Sequence, residues 1–228
     1  MRGVVTVLLP GTGSDDDYLR RVFAGPLERA GATLVAVQPD PDDLLAGYLA
    51  ALESAAAGGR IAVGGVSLGA AVAASWALAH PDRTIAVLAV LPPWTGAPRD
   101  APAACSARHT AAMLRNDGLD AVTAAMRASS PGWLADELAR SWRRQWPGLP
   151  DAMEAAAGYP APDTAALRRL SVPMAVVGAP DDAVHPLSVA RHWAQTAPRA
   201  ALGTVTLEQF GPDPQALGTA CLAALHEC

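Results

Sequence analysis

Three observations predict an α/β protein: a mostly parallel, doubly wound sheet of about six strands carrying a small helical cap. Short Val/Ile/Leu-rich runs alternate with longer Ala/Leu segments, the pattern of buried parallel strands covered by helices on both faces. That alternation breaks once, between Pro92 and about Asp163, for some 70 residues of a different character. Finally, 51% of the 228 residues are apolar, enough to bury a substantial core.

Taken in order, Val4 to Leu9 reads as the first strand and Asp17 to Ala30 as the helix after it. Thr33 to Val37, Ile61 to Gly64 and Ile85 to Leu91 read as further strands, with helices over Asp42 to Ala57 and Leu68 to Ala79. After the interruption, Met174 to Val177 and Gly203 to Leu207 complete six strands, and Pro186 to Ala197 and Asp213 to His226 are helical. The interruption opens with "PPWTGAPRDAPAA", includes the helical "WLADELARSWRRQW", and holds four of the six tryptophans: Trp94, Trp133, Trp142 and Trp146. An insertion after a parallel strand, at the carboxyl edge where such sheets bind ligands, reads as a lid. The organisation expected is therefore a core of residues 1–92 and 163–228 with a cap formed by residues 93–162.

Composition removes several function classes. A net charge of −5 leaves no basic stripe for nucleic acid and no polybasic patch for a membrane surface. All 17 basic residues are Arg, so a P-loop lysine and a Schiff-base lysine are excluded. The N-terminal "VVTVLLP" reads as a strand rather than a leader, and no run approaches the roughly 20 apolar residues that span a bilayer. Cys105, Cys221 and Cys228 are odd in number and lack metal-like spacing. A cytoplasmic protein with no metal and no organic cofactor is expected, its partner a small molecule rather than nucleic acid or a membrane.

The chemistry is concentrated in "GGVSLGA". Gly65, Val66, Ser67, Leu68 and Gly69 form G-x-S-x-G between a buried strand and a helix, the context a nucleophile elbow requires. Glycines flank the serine at both sides because side chains there would collide with neighbouring backbone. The helix beginning after Ser67 turns free N–H groups and a positive dipole end toward it, which favours an oxyanion. Gly11-Thr12-Gly13 is a poor dinucleotide fingerprint: the third glycine is absent, and Asp15, Asp16 and Asp17 would repel a pyrophosphate.

With these residues the chain resembles the α/β-hydrolase family over nearly its whole length. "LLPGTGSDDD" looks like the family's oxyanion loop, with Pro10 in place of the usual non-catalytic histidine. The resemblance implies an oxyanion hole from the backbone N–H groups of Thr12 and Leu68. It also implies a catalytic aspartate in "VPMAVVGAPDDAVHPL"; counting back from Pro186 selects Asp182, counting forward from Gly178 its neighbour Asp181. The family's base follows the last strand, but "VTLEQFGPDPQALG" contains no histidine, and Pro212 stands where it is expected. His80 and His226 belong at the opposite edge of the sheet and His192 within a helix. His185, three residues after Asp182, and His109, at the start of the cap, are the candidates at the correct edge.

Two functions follow from the resemblance. One is a serine hydrolase for an ester or thioester of a small apolar acid, with Ser67 as nucleophile, Asp182 as orienting acid and His185 or His109 as base. The other is a degenerate relative that binds a small molecule or serves as an accessory protein without turnover.

Overall fold

The computed structural model describes all 228 residues. Six parallel strands lie in the order β2-β1-β3-β4-β5-β6. They are β1 (Val5–Leu9), β2 (Thr33–Ala36), β3 (Ile61–Val66), β4 (Thr84–Val90), β5 (Met174–Gly178) and β6 (Ala200–Thr204). Helices α1 (Asp16–Arg29), α2 (Leu44–Ala56), α3 (Leu68–Ala79), α8 (Leu187–Thr196) and α10 (Gln215–His226) supply the crossovers and the closing helix.

Alternation along the strands divides the core in two. Val7, Val63, Val87 and Val176 point into one cluster, shared with α2, α3 and α8. Leu8, Ala62, Leu88 and Val177 point into the other, shared with α1 and α10. Successive side chains on a strand face opposite ways, so strands buried on both faces must be apolar throughout. The central β3 is buried at all six positions and α3 at nine of twelve. That is why both read as continuous apolar runs.

Between β4 and β5 lie α4 (Pro102–Ser129), α5 (Gly132–Gln145), α6 (Leu149–Gly158) and the single-turn α7 (Thr164–Leu167). α4 is broken at Gly118 (φ 80°, ψ 169°), a conformation open to glycine. The stretch leaves and returns at one place: Gly96 N–H donates to Pro162 O at 3.1 Å and Ala161 N–H to Gly96 O at 2.9 Å. It has a small core of its own around Leu114, Trp142, Leu149 and Met153. No helix is long and apolar enough to cross a membrane.

The last strand lies three residues earlier than expected, at Ala200–Thr204 rather than Gly203 to Leu207. Thr206 and Gln209 close a capping box that folds α9 (Leu207–Phe210) immediately after it. The Thr-x-x-Gln spacing that specifies this cap is present in the sequence, and it outcompetes strand extension once a partner strand is lacking on that edge.

Candidate active site

The parallel sheet brings the ends of β1, β3, β4, β5 and β6 to one edge, and the segments beyond them line a cavity of about 800 Å³. Ser67 stands at the turn from β3 into α3 with φ 52° and ψ −116°. Such a conformation costs about 1–3 kcal/mol and persists only where the surroundings impose it. They do so here by close approach. A Cβ on Gly65 would sit 2.2 Å from Leu9 O, and one on Gly69 2.0 Å from the same atom. Ser67 N–H donates to Val90 O at 2.9 Å, which ties the turn to the next strand.

The loop between β5 and α8 supplies the second and third groups. Asp182 Oδ1 accepts from the backbone N–H groups of Val184 at 2.8 Å and His185 at 3.0 Å, an Asx-type turn that fixes the loop. Asp182 Oδ2 lies 2.8 Å from His185 Nδ1, and His185 Nε2 lies 2.9 Å from Ser67 Oγ. With Nδ1–H donating to the carboxylate, Nε2 is left to accept the Ser67 hydroxyl proton. Burial pushes the Asp182 carboxyl up, but the hydrogen bond and charge of His185, with the two backbone N–H groups, outweigh it. The carboxyl is held below its usual value.

Asp181 is engaged elsewhere: its carboxylate accepts from Leu207 N–H at 2.9 and 3.0 Å, holding the start of α9. The structure thus brings Asp182, not its neighbour, to the imidazole. His109 is exposed and lines the cavity, but its imidazole makes no hydrogen bond or ion pair. His80 stacks on Trp76 and lies 3.4 Å from Glu53, and His192 bonds Thr164 Oγ1 at 2.9 Å. Pro212 is exposed and outside the cavity wall, to which its segment contributes Leu207 and Phe210. Trp133 packs edge-on against Phe210 from α5, with ring centroids 5.4 Å apart.

Thr12 lines the cavity beside Ser67, in a turn closed by Ser14 N–H to Gly11 O at 3.0 Å; the Thr12 N–H itself has no protein acceptor. Leu68 opens α3, where the first N–H groups have no partner within the helix.

One feature of the site has no counterpart among the expectations. The face of α5 carrying Glu137, Arg140, Arg144 and Gln145 is locked onto the segment that follows Thr12. Arg140 holds Asp15 through two bonds, at 2.7 and 3.0 Å, and Arg144 reaches the same carboxylate at 3.3 Å. Gln145 Nε2 donates to Ser14 O at 3.0 Å. Glu137 is held by both Arg140 and Arg21. Asp15 is only 2% exposed and also caps α1, accepting from Tyr18 N–H. Asp15, Asp17 and Glu137 lie close enough together to suggest a cation site. Guanidinium groups already occupy their oxygens, so the chemistry is that of an ion-pair network. The i, i+3, i+4 spacing of the polar residues on α5 is the signal that could have revealed a polar buried face.

A family model described as the alpha/beta hydrolase family matches residues 2–209. No curated protein matches the chain. Among solved structures, Rv0554 from Mycobacterium tuberculosis is 19% identical and superposes with a TM-score of 0.73, covering 98% of this chain and 90% of that one. Esterase RhEst1 from Rhodococcus sp. is 18% identical, with a TM-score of 0.70 and coverages of 98% and 90%. A thermophilic esterase from Thermogutta terrifontis is 17% identical, with a TM-score of 0.69 and coverages of 97% and 88%. At such identities the likeness carries the fold alone. On the extent of the family match and the six-stranded parallel sheet, the chain belongs to the alpha/beta hydrolase family.

Proposed function

We propose that this protein is a serine hydrolase that cleaves an ester or thioester through an acyl-Ser67 intermediate. The observation that carries the reading is the continuous chain from Ser67 Oγ through His185 to Asp182, with links of 2.9 and 2.8 Å. As Oγ attacks the carbonyl carbon, its proton passes to His185 Nε2 and the carbonyl oxygen takes the negative charge. The N–H groups of Thr12 and Leu68 donate to that oxyanion, and Asp182 stabilises the imidazolium. When the carbon–oxygen or carbon–sulfur bond breaks, His185 returns the proton to the departing alcohol or thiol. Water then enters, gives its proton to the same nitrogen and releases the acid, restoring Ser67.

In this scheme the base comes from the loop that carries the acid, and the segment after β6 supplies none. Two structurally similar proteins, from Thermogutta terrifontis and Rhodococcus sp., are esterases, which supports the reading. A fluorophosphonate probe tests the reading directly. Intact mass should show one adduct on the wild type, none on Ser67→Ala, and labelling slowed at least 100-fold in His185→Ala, the span of general base catalysis. A folded wild type that stays unlabelled would instead make the chain a binding protein.

A further inference from the structure

The wall of the cavity points to a substrate class. We propose, on the hydrolase reading above, that the group held in this chamber is bulky, apolar and without charge, and that negatively charged acyl groups are rejected.

Size comes first. A volume of about 800 Å³ lies in the upper part of the range for drug-sized ligands, far more than a small acid fills. The walls explain what can fill it. Met113 and Met126 from α4 and Met153 from α6 are three of the five methionines in the chain, and Trp94, Trp133 and Trp142 are three of the six tryptophans. Thioether side chains turn about three bonds and fill irregular gaps, so they accept apolar groups of varied outline.

Charge is the sharper discriminator. None of the 17 arginines lines the chamber, and there is no lysine in the chain. Its acidic residues are Asp181, Asp182 and Glu137. An entering carboxylate or phosphate therefore leaves water and finds no guanidinium or ammonium in the wall, where the basic side chains are His185, already engaged by Asp182, and His109. An entering ammonium gains little either. Asp182 is engaged by His185 and two backbone N–H groups, Asp181 by Leu207 N–H, and Glu137 by Arg140 and Arg21. Neutral apolar surface is what the chamber can take up without leaving a charge unpaired.

The test compares kcat/KM for p-nitrophenyl esters of matched length. Octanoate carries four methylenes more than butyrate and should exceed it by roughly 200-fold, since each buried methylene is worth roughly fourfold. The hemisuccinate and a trimethylammonio-butanoate ester should fall at least about 100-fold below pentanoate, the cost of an unpaired buried charge. Met126→Arg, at a half-buried wall position, should raise the hemisuccinate relative to pentanoate. Equal rates for hemisuccinate and pentanoate would overturn the proposal while leaving the hydrolase reading intact, and so would a preference for the cationic ester. If no ester is turned over and Ser67 takes no probe, the hydrolase reading fails by itself. Tryptophan fluorescence of Ser67→Ala then decides the substrate class: quenching by octanamide but not by the mono-amide of suberic acid supports it, and equal quenching overturns it.

Discussion

The site is held from two sides by different means. On one side, Asp182 and His185 are three residues apart, and a single Asx-type turn sets their mutual distance. On the other, the segment after Thr12 is held by Arg140, 125 residues away, through a carboxylate buried to 2% exposure. The first arrangement depends on local backbone geometry and the second on the whole insertion folding back over the sheet. Their difference teaches that the proposed reacting groups and the groups that hold the Thr12 loop answer to separate parts of the chain, so variants on each side should fail in different ways.

The largest effects belong to the reacting groups. Ser67→Ala or His185→Ala should lower kcat on an activated ester by roughly 10⁴ to 10⁶-fold, as members of such a unit do. His109→Ala should stay within a few-fold of wild type; a loss matching that of His185 would break the assignment. Next comes the pair of aspartates. Asp182→Asn should cost roughly 10³ to 10⁴-fold in kcat, because the imidazole loses its tautomer and its counter-charge. Asp181→Asn, which weakens only the hold on Leu207, should cost less than about tenfold and chiefly in stability.

The α5 side should fail through stability first. Arg140→Met leaves Asp15 with Arg144 and the Tyr18 N–H, so the loss should be about 2 kcal/mol, below the span for a wholly stranded buried charge because Arg140 is 36% exposed. Thermal denaturation should show a fall of about 4–8 °C. A lowered kcat with KM little changed would show that the lock also shapes the oxyanion loop.

A smaller effect separates the sides by pH. The Asp182 carboxyl is held below its usual value in the folded chain, so its contribution to stability is present in full above the unfolded value, about pH 4. It is lost as pH falls through that value toward the folded one. In urea titrations the gap between wild type and Asp182→Asn should be constant above about pH 5 and shrink below about pH 4. A gap that widens on acidification would mean the carboxyl is raised instead. The smallest expected effect is that of Pro212→His. This position is exposed and outside the cavity wall, so activity should stay within a few-fold, and a large gain would mean that His185 is not the working base.

Much of this was legible in the sequence. Both-face burial leaves an unmistakable apolar run in β3, and the glycines flanking Ser67 announce the tight turn because nothing larger fits against Leu9 O. The pairing of Asp182 with His185 was open to inspection because only three residues separate them, yet the choice between His185 and His109 depended on how the loop closes. The lock between α5 and Asp15 was not legible: its partners are far apart in sequence, and the run of Asp15 to Asp17 read as charge facing a ligand rather than charge meeting arginine. β6 runs three residues earlier than its sequence suggests because the strand propensity of "VTL" yields to the capping signal of Thr206 and Gln209.

Placing the acid and the base on one short loop also changes what the rest of the chain must conserve. Every proposed reacting group lies at or before residue 185, so β6, α9 and α10 owe the reaction no proton and no charge. Their debt is one of shape alone: Leu207 and Phe210 must fill their share of the chamber, and Leu217 and Cys221 must fill the core. The last eighth or so of the protein, from β6 onward, is thereby free to drift in sequence wherever volume is kept, and insertions or losses there can remodel the chamber without dismantling the chemistry.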